Sequence, residues 1–178
     1  MSFTISVTES DLIEGCLNND RLAQKKLYDR YKKGMYTVAY RITGDFDMAN
    51  DALQEAFIQI FKSLPKFRAE STLGAWIKTI VVRAALKKVK KKIRFEPIEH
   101  HLGNRFIDWG NYMNADYLEK AINRLPDGYR AVFTLIEVEG YQHKEVAEML
   151  GISAGTSKSQ LYHAKRKLRE FLKDIVDR

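Results

Sequence analysis

Lys158, Gln160, Tyr162, His163, Lys165, Arg166 and Arg169 crowd one short stretch near the end of a 178-residue chain. Cations at this density neutralise phosphates, and the amide, phenol and imidazole between them hydrogen-bond or stack. What positions them is a helix, because Leu161, Ala164, Leu168 and Leu172 recur at the spacing of a buried apolar stripe. Upstream, Val146, Ala147 and Leu150 mark a shorter amphipathic helix. Between the two, Gly151 suits a left-handed helix end, Ile152 packs into the angle and Ser153 caps the second helix. This is the layout of a helix-turn-helix, whose second helix lies in the major groove of duplex DNA. A solvated basic helix on a bundle surface has the same composition; the turn chemistry favours DNA.

A second cationic run, Arg83, Lys87, Lys88, Lys90, Lys91, Lys92 and Arg94, holds no acid between its members. With a net charge of +7 it points to polyanions, nucleic acid ahead of membrane surfaces. The single Cys16 excludes an internal disulfide and suits a reducing cytoplasm. No apolar run reaches spanning length, and Glu9, Asp11 and Glu14 stand where a signal peptide is hydrophobic. A soluble, cytoplasmic protein is expected. His100 and His101 lack companions at ligand spacing, so no metal site is expected. Nor is there a glycine-rich phosphate loop or a nucleophile with a base nearby. The sequence therefore predicts no enzyme, no cofactor and no small-molecule substrate.

The chain reads as all-α in two small helical domains joined by a flexible linker. Thr8 to Asp11 starts a helix running to about Asn18, and Asp20 caps a long one reaching Thr43. Gly44 to Asp47 closes it and caps a third, Met48 to Ser63. That helix points Leu53, Phe57, Ile60 and Phe61 to a core. Asp51, Gln54, Glu55 and Ile58 share another face, which serves equally as a solvated surface or a docking surface. After Pro65, Phe67 to Ser71 is a polar loop with one aromatic ring. Ser71 or Thr72 caps a fourth helix with the stripe Leu73, Trp76, Ile77, Ile80 and Ala84, ending in the lysines. The first domain spans 1–94, the linker 95–113 and the second domain 114–178. The linker's proline, glycines and asparagines show no periodicity.

Four stretches in order carry a family resemblance: YKKGMYTVAYRITGD, NDALQEAFIQIF, FRAESTLGAWIKTIVV, and AINRLPDGYRAVFTLIEVEGYQHKEVAEMLGISAGTSKSQLYHAKRKLRE. Together they resemble the extracytoplasmic-function (ECF) group of bacterial sigma factors over nearly the whole chain. The resemblance implies a region 2 bundle and a region 4 helix-turn-helix. It implies docking of Asp51, Gln54, Glu55 and Ile58 on core RNA polymerase. It also implies opening of the minus-ten element by Phe67, Arg68, Glu70, Ser71 and Trp76, with Lys78, Arg83, Lys87, Lys88, Lys90 and Lys91 on phosphates. On its apolar stripe, Trp76 reads better as core. Extracting a base costs a few kcal/mol, which the pocket and cationic track must offset. In the second domain it implies reading of the duplex minus-thirty-five element by Thr156, Lys158, Ser159, Gln160, Tyr162, His163 and Arg166. Gln160 would pair bidentately with adenine, and Lys158 or Arg166 with guanine or phosphate. An anti-sigma protein is a further implied partner. Arg83, Lys87, Gln160 and Ser157 depart from residues frequent in the group, so a family promoter consensus is not carried over.

Two other readings compete. A dimeric helix-turn-helix regulator would bind a palindromic duplex without polymerase, leaving the loop and lysine helix at 67–92 without a role. A small helical enzyme on nucleic acid would need a carboxylate or histidine cluster for metal-dependent turnover.

Overall fold

The computed structural model describes residues 8–90 and 115–176, which are helical apart from short connections. Helix α1 (Glu9–Leu17) opens on a reciprocal cap, Thr8 Oγ1 accepting from the Asp11 amide and the Asp11 carboxylate from the Thr8 amide. Asp20 caps α2 (Arg21–Thr43), accepting from the Leu22 amide at 2.8 Å. At the far end Gly44 closes the helix, as expected, and does so in the left-handed conformation, at a φ of 64°. Asp45 at once caps α3 (Phe46–Ser63) through the Met48 amide, so this helix starts two residues before the expected Met48. A 3-10 turn, Leu64–Lys66, holds Pro65 and leads to the loop before α4 (Leu73–Lys90). There Thr72 Oγ1 accepts from the Ala75 amide at 3.2 Å.

Helices α2, α3 and α4 pack on one another around Leu27, Ile42, Ile60, Leu73, Ile77 and Val81, all fully buried. Each such side chain contributes roughly 1.5–3 kcal/mol by leaving water. Helix α1 closes one side through Leu12 and Cys16, and the Tyr31 hydroxyl donates to Glu9 Oε1 at 2.6 Å.

The second half comprises α5 (Ala115–Asn123), α6 (Asp127–Phe133), a π-helical turn (Thr134–Val138), α7 (His143–Leu150) and α8 (Ala154–Val176). Gly151 takes a φ of 71°, and Ser153 Oγ accepts from the Thr156 amide at 2.9 Å. The expected helix-turn-helix is formed by the chemistry expected of it. The stripe Leu161, Ala164, Leu168 and Leu172 is buried against the three preceding helices.

The two halves share one continuous apolar core. Where they meet, the second half caps the first half's longest helix. The last carbonyls of a helix have no partner inside it. Here Thr134 Oγ1 donates to the Arg41 carbonyl, and the Arg130 guanidinium donates to those of Ile42 and Thr43. The same guanidinium holds the Asn123 and Leu125 carbonyls and pairs with Asp127. Arg130 is 5% exposed, so this cation is spent inside the protein. The anticipated linker at 95–113, with His100 and His101, lies outside the described residues, as do Lys91, Lys92 and Arg94.

Candidate nucleic-acid interface

Helix α4 is amphipathic through most of its length, and its polar side carries the cations. Arg83, Lys87 and Lys90 are exposed; Lys78 and Lys88 are partly buried. Lys88 Nζ lies 3.2 Å from the Glu55 carboxylate and 3.9 Å from Asp51, and Lys87 Nζ bonds Glu55 at 2.5 Å. Lys87 and then Lys88, bonding Glu55, hold its carboxyl below the usual range. The acidic face of α3 and the cationic face of α4 are thus neighbours joined by ion pairs. Gln54 is exposed beside them, and Ile58 is 57% exposed, an apolar side chain offered outward from a polar surface.

In the loop ahead of α4, Arg68, Glu70 and Ser71 are exposed, and Arg68 sits 3.9 Å from Glu70. Ala69 is held at a φ of 55°, a left-handed conformation that costs a residue with a Cβ about 1–3 kcal/mol. Phe67 packs on Trp76 with ring centroids 5.2 Å apart. Both rings are half-buried against the core, so Trp76 has the packing role its stripe position suggests.

Across from α4 stands the second half. Lys78 Nζ pairs at 3.0 Å with Glu139, whose side chain is 7% exposed. The π-turn places it there: the Glu139 amide bonds back to the Thr134 carbonyl, turning the chain toward α4. Further along, a cleft of about 760 Å³ is lined by Arg83, Lys87 and Lys90 on one wall and Glu145 and Glu148 on the other.

On α8, Lys158 and Arg166 are exposed, the latter 3.9 Å from Glu170. Thr156, Tyr162 and His163 are half-buried; His163 stacks on Tyr129 and meets Tyr162 edge-on. Two other candidates are enclosed. Ser159 is 7% exposed and its hydroxyl donates to the carbonyls of Gly155 and Thr156. Gln160 is 1% exposed. It lies three residues after buried Ser157 and four before buried Ala164, on the helix's inner side. In this arrangement neither side chain is open to a base edge.

Sequence reasoning noted Ser157 only as a departure from residues frequent in the group and missed its partner, His143. Ser157 is fully buried and bonds His143 Nδ1 at 2.9 Å, tying the start of α7 to α8. Burial, then the nearby Lys158 charge, push the His143 imidazole below its ordinary value. For His163 burial and then Arg166 do the same. Among the described residues no cluster of histidine, cysteine and carboxylates is fit to hold a metal, and no helix is long and apolar enough to cross a membrane.

Comparison with known proteins places both halves. Residues 27–95 match the sigma-70 region 2 family and residues 115–168 the sigma-70 region 4 family. The chain is 27% identical over 169 residues to the ECF RNA polymerase sigma factor SigM of Mycobacterium tuberculosis, covering 93% of this chain and 85% of that protein. It is 27% identical over 157 residues to SigE of Mycolicibacterium smegmatis, covering 83% of this chain and 60% of that longer relative. The fold is that of the sigma factor RpoE solved with the anti-sigma factor NepR from Bartonella quintana, at a TM-score of 0.52 and 24% identity, covering 86% of this chain and 98% of that one. A dimeric regulator accounts for the region 4 match and leaves region 2 without a purpose. With regions 2 and 4 in order along one chain, and ECF relatives matched across both, the protein belongs to the extracytoplasmic-function sigma factors, which bind core RNA polymerase and direct it to promoters.

Proposed function

We propose a division of labour along the chain of this sigma factor. The α3 face of Asp51, Gln54, Glu55 and Ile58 docks on the core enzyme. The Phe67–Ser71 loop receives a base extracted from the minus-ten element. Lys78, Arg83, Lys87, Lys88, Lys90 and Lys91 follow the phosphates of the melted strand, and α8 reads the duplex minus-thirty-five element. The observation that supports this reading most is the continuity of α4, which begins at the exposed loop and ends in exposed cations. A loop that takes a base needs a phosphate track leading away from it, because unstacking must be offset by backbone contacts.

On α8 the reading falls first on Lys158 and Arg166, which are exposed, and on the half-exposed Thr156, Tyr162 and His163. Ser159 and Gln160 would join only if the helix is uncovered. The domain limits near 94 and 114 belong to this proposal, with 95–113 as the connection. So do a cytoplasmic location and an anti-sigma partner; the latter is supported by the RpoE–NepR relative. The bond-making chemistry is the polymerase's.

The test is co-elution with core polymerase. Wild type should co-elute, and D51A/Q54A/E55A should not while keeping its helical content. Unchanged co-elution of the triple variant would refute the docking assignment.

A further inference from the structure

One stripe of α2 takes no part in that division of labour. Lys26, Arg30, Lys33 and Thr37 recur at the spacing of a single row on the helix surface, about 17 Å long and without an acid in it. The three cations are exposed and Thr37 is half-buried. On the neighbouring flank Lys25 and Lys32 instead pair with Asp29, at 3.3 and 2.6 Å. Gly34 opens a gap beside Lys33. Glycine weakens a helix interior, and nothing in the fold requires this one, since a Cβ there would meet open space. An exposed helical position without a side chain leaves the backbone open to close approach from outside. The row also lies beside the loop assigned to the extracted base. Tyr31, next to Arg30 in the chain, sets its ring 3.3 Å from where a Cβ of Gly74 would stand, in the first turn of α4. Its hydroxyl is held there by Glu9 at 2.6 Å. Helix α4 thus leads cations away from the loop, and α2 brings a second set up to it.

We infer that this row is a second contact for the melted strand. Nucleotides on one side of the extracted base follow α4, and those on the other side cross α2. There Lys26, Arg30 and Lys33 meet phosphates, and the strand's backbone passes over Gly34. Thr37, whose hydroxyl donates to the Lys33 carbonyl at 3.1 Å, borders the passage. Charge identifies the occupant: a row of cations with no acid among them complements a polyanion, and it prolongs a strand path that already reaches the loop. A strand held on both sides of the extracted base restacks less readily, so the second contact keeps the promoter open. The inference rests on the Phe67–Ser71 loop being the element that receives the base.

Holoenzyme assembled from the full chain and core polymerase decides the matter, with labelled single strands that carry the minus-ten element. One strand ends at the element, a second is extended at one end and a third at the other. Wild type should bind both extended strands more tightly than the short one. K26A/K33A should lose the gain for one extension only, about tenfold at low salt, with a logarithmic salt slope shallower by about 1.4. R83A/K90A should lose the gain for the opposite extension. K25A/K32A removes the same charge from the Asp29 flank and should change neither. Gly34→Leu leaves charge untouched. It should copy K26A/K33A while raising the melting temperature by about 2–4 °C, as a better helix former does. Equal losses for the two lysine pairs, losses at both ends, loss of co-elution with core polymerase, or a silent Gly34→Leu would each overturn the inference. A silent K26A/K33A beside an effective R83A/K90A would overturn it alone and leave the loop reading intact. Binding that ignores the minus-ten sequence, with R83A/K90A also silent, would overturn the loop reading and the inference with it.

Discussion

The Arg130 guanidinium donates to the Thr43 carbonyl at 2.8 Å across 87 positions of sequence. A side chain of region 4 thereby completes a helix of region 2. Charged hydrogen bonds to buried acceptors contribute about 1.5–3 kcal/mol each, and orphaned carbonyls cost about 1–3 kcal/mol. Arg130→Met should therefore lower stability by about 3 kcal/mol in urea unfolding. Faster amide exchange at the α2 terminus should accompany it. A loss within experimental error would show that the Arg130 contacts do not bear on the fold.

Gly44 and Gly140 offer a paired comparison. Both are left-handed, at φ values of 64° and 79°. A Cβ at Gly140 meets open space, while one at Gly44 collides with the Arg130 guanidinium. Gly140→Ala should cost about 1 kcal/mol, the strain alone. Gly44→Ala should cost more and expand the particle in scattering. Equal costs would contradict the close approach.

His143 gives a pH signature. Its folded value lies below the ordinary imidazole value, so the fold prefers the neutral ring. Stability is then fully present above about pH 6.5 and is lost as pH falls from there toward the folded value. His163 acts in the same direction. Melting temperature should drop on acidification through this window, and His143→Gln should flatten part of the drop. Ser157→Ala should cost about 1 kcal/mol by leaving the ring nitrogen unpaired.

Phosphate neutralisation sets the salt dependence of binding. Arg83→Ala or Lys90→Ala should weaken binding to single strands of any sequence and make the logarithmic salt slope shallower by about 0.7 for each phosphate left unneutralised. Lys158→Ala and Arg166→Ala should instead weaken binding to duplex promoter DNA. An unchanged salt slope would remove Arg83 and Lys90 from the track.

The helices were legible because their signals are local. Asp20, Gly44, Asp45, Thr72, Gly151 and Ser153 act within a few residues of themselves, and their types announce what they do. Gln160 was misplaced by polarity, although its spacing from Ser157 and Ala164 puts it on the inner face. The Arg130 and Glu139 contacts were not legible. Both join residues distant in sequence, and a lone cation or acid in a charged chain carries no mark of its partner. Nor did Ser157 and His143, 14 positions apart, announce their bond.

The central claim is that this chain gives core polymerase its promoters. Run-off transcription with purified core enzyme on genomic promoter fragments tests it directly. Discrete transcripts that depend on the added protein, and that vanish with D51A/Q54A/E55A, are the predicted result. No transcripts, together with tight binding of duplex DNA by the protein alone, would contradict it.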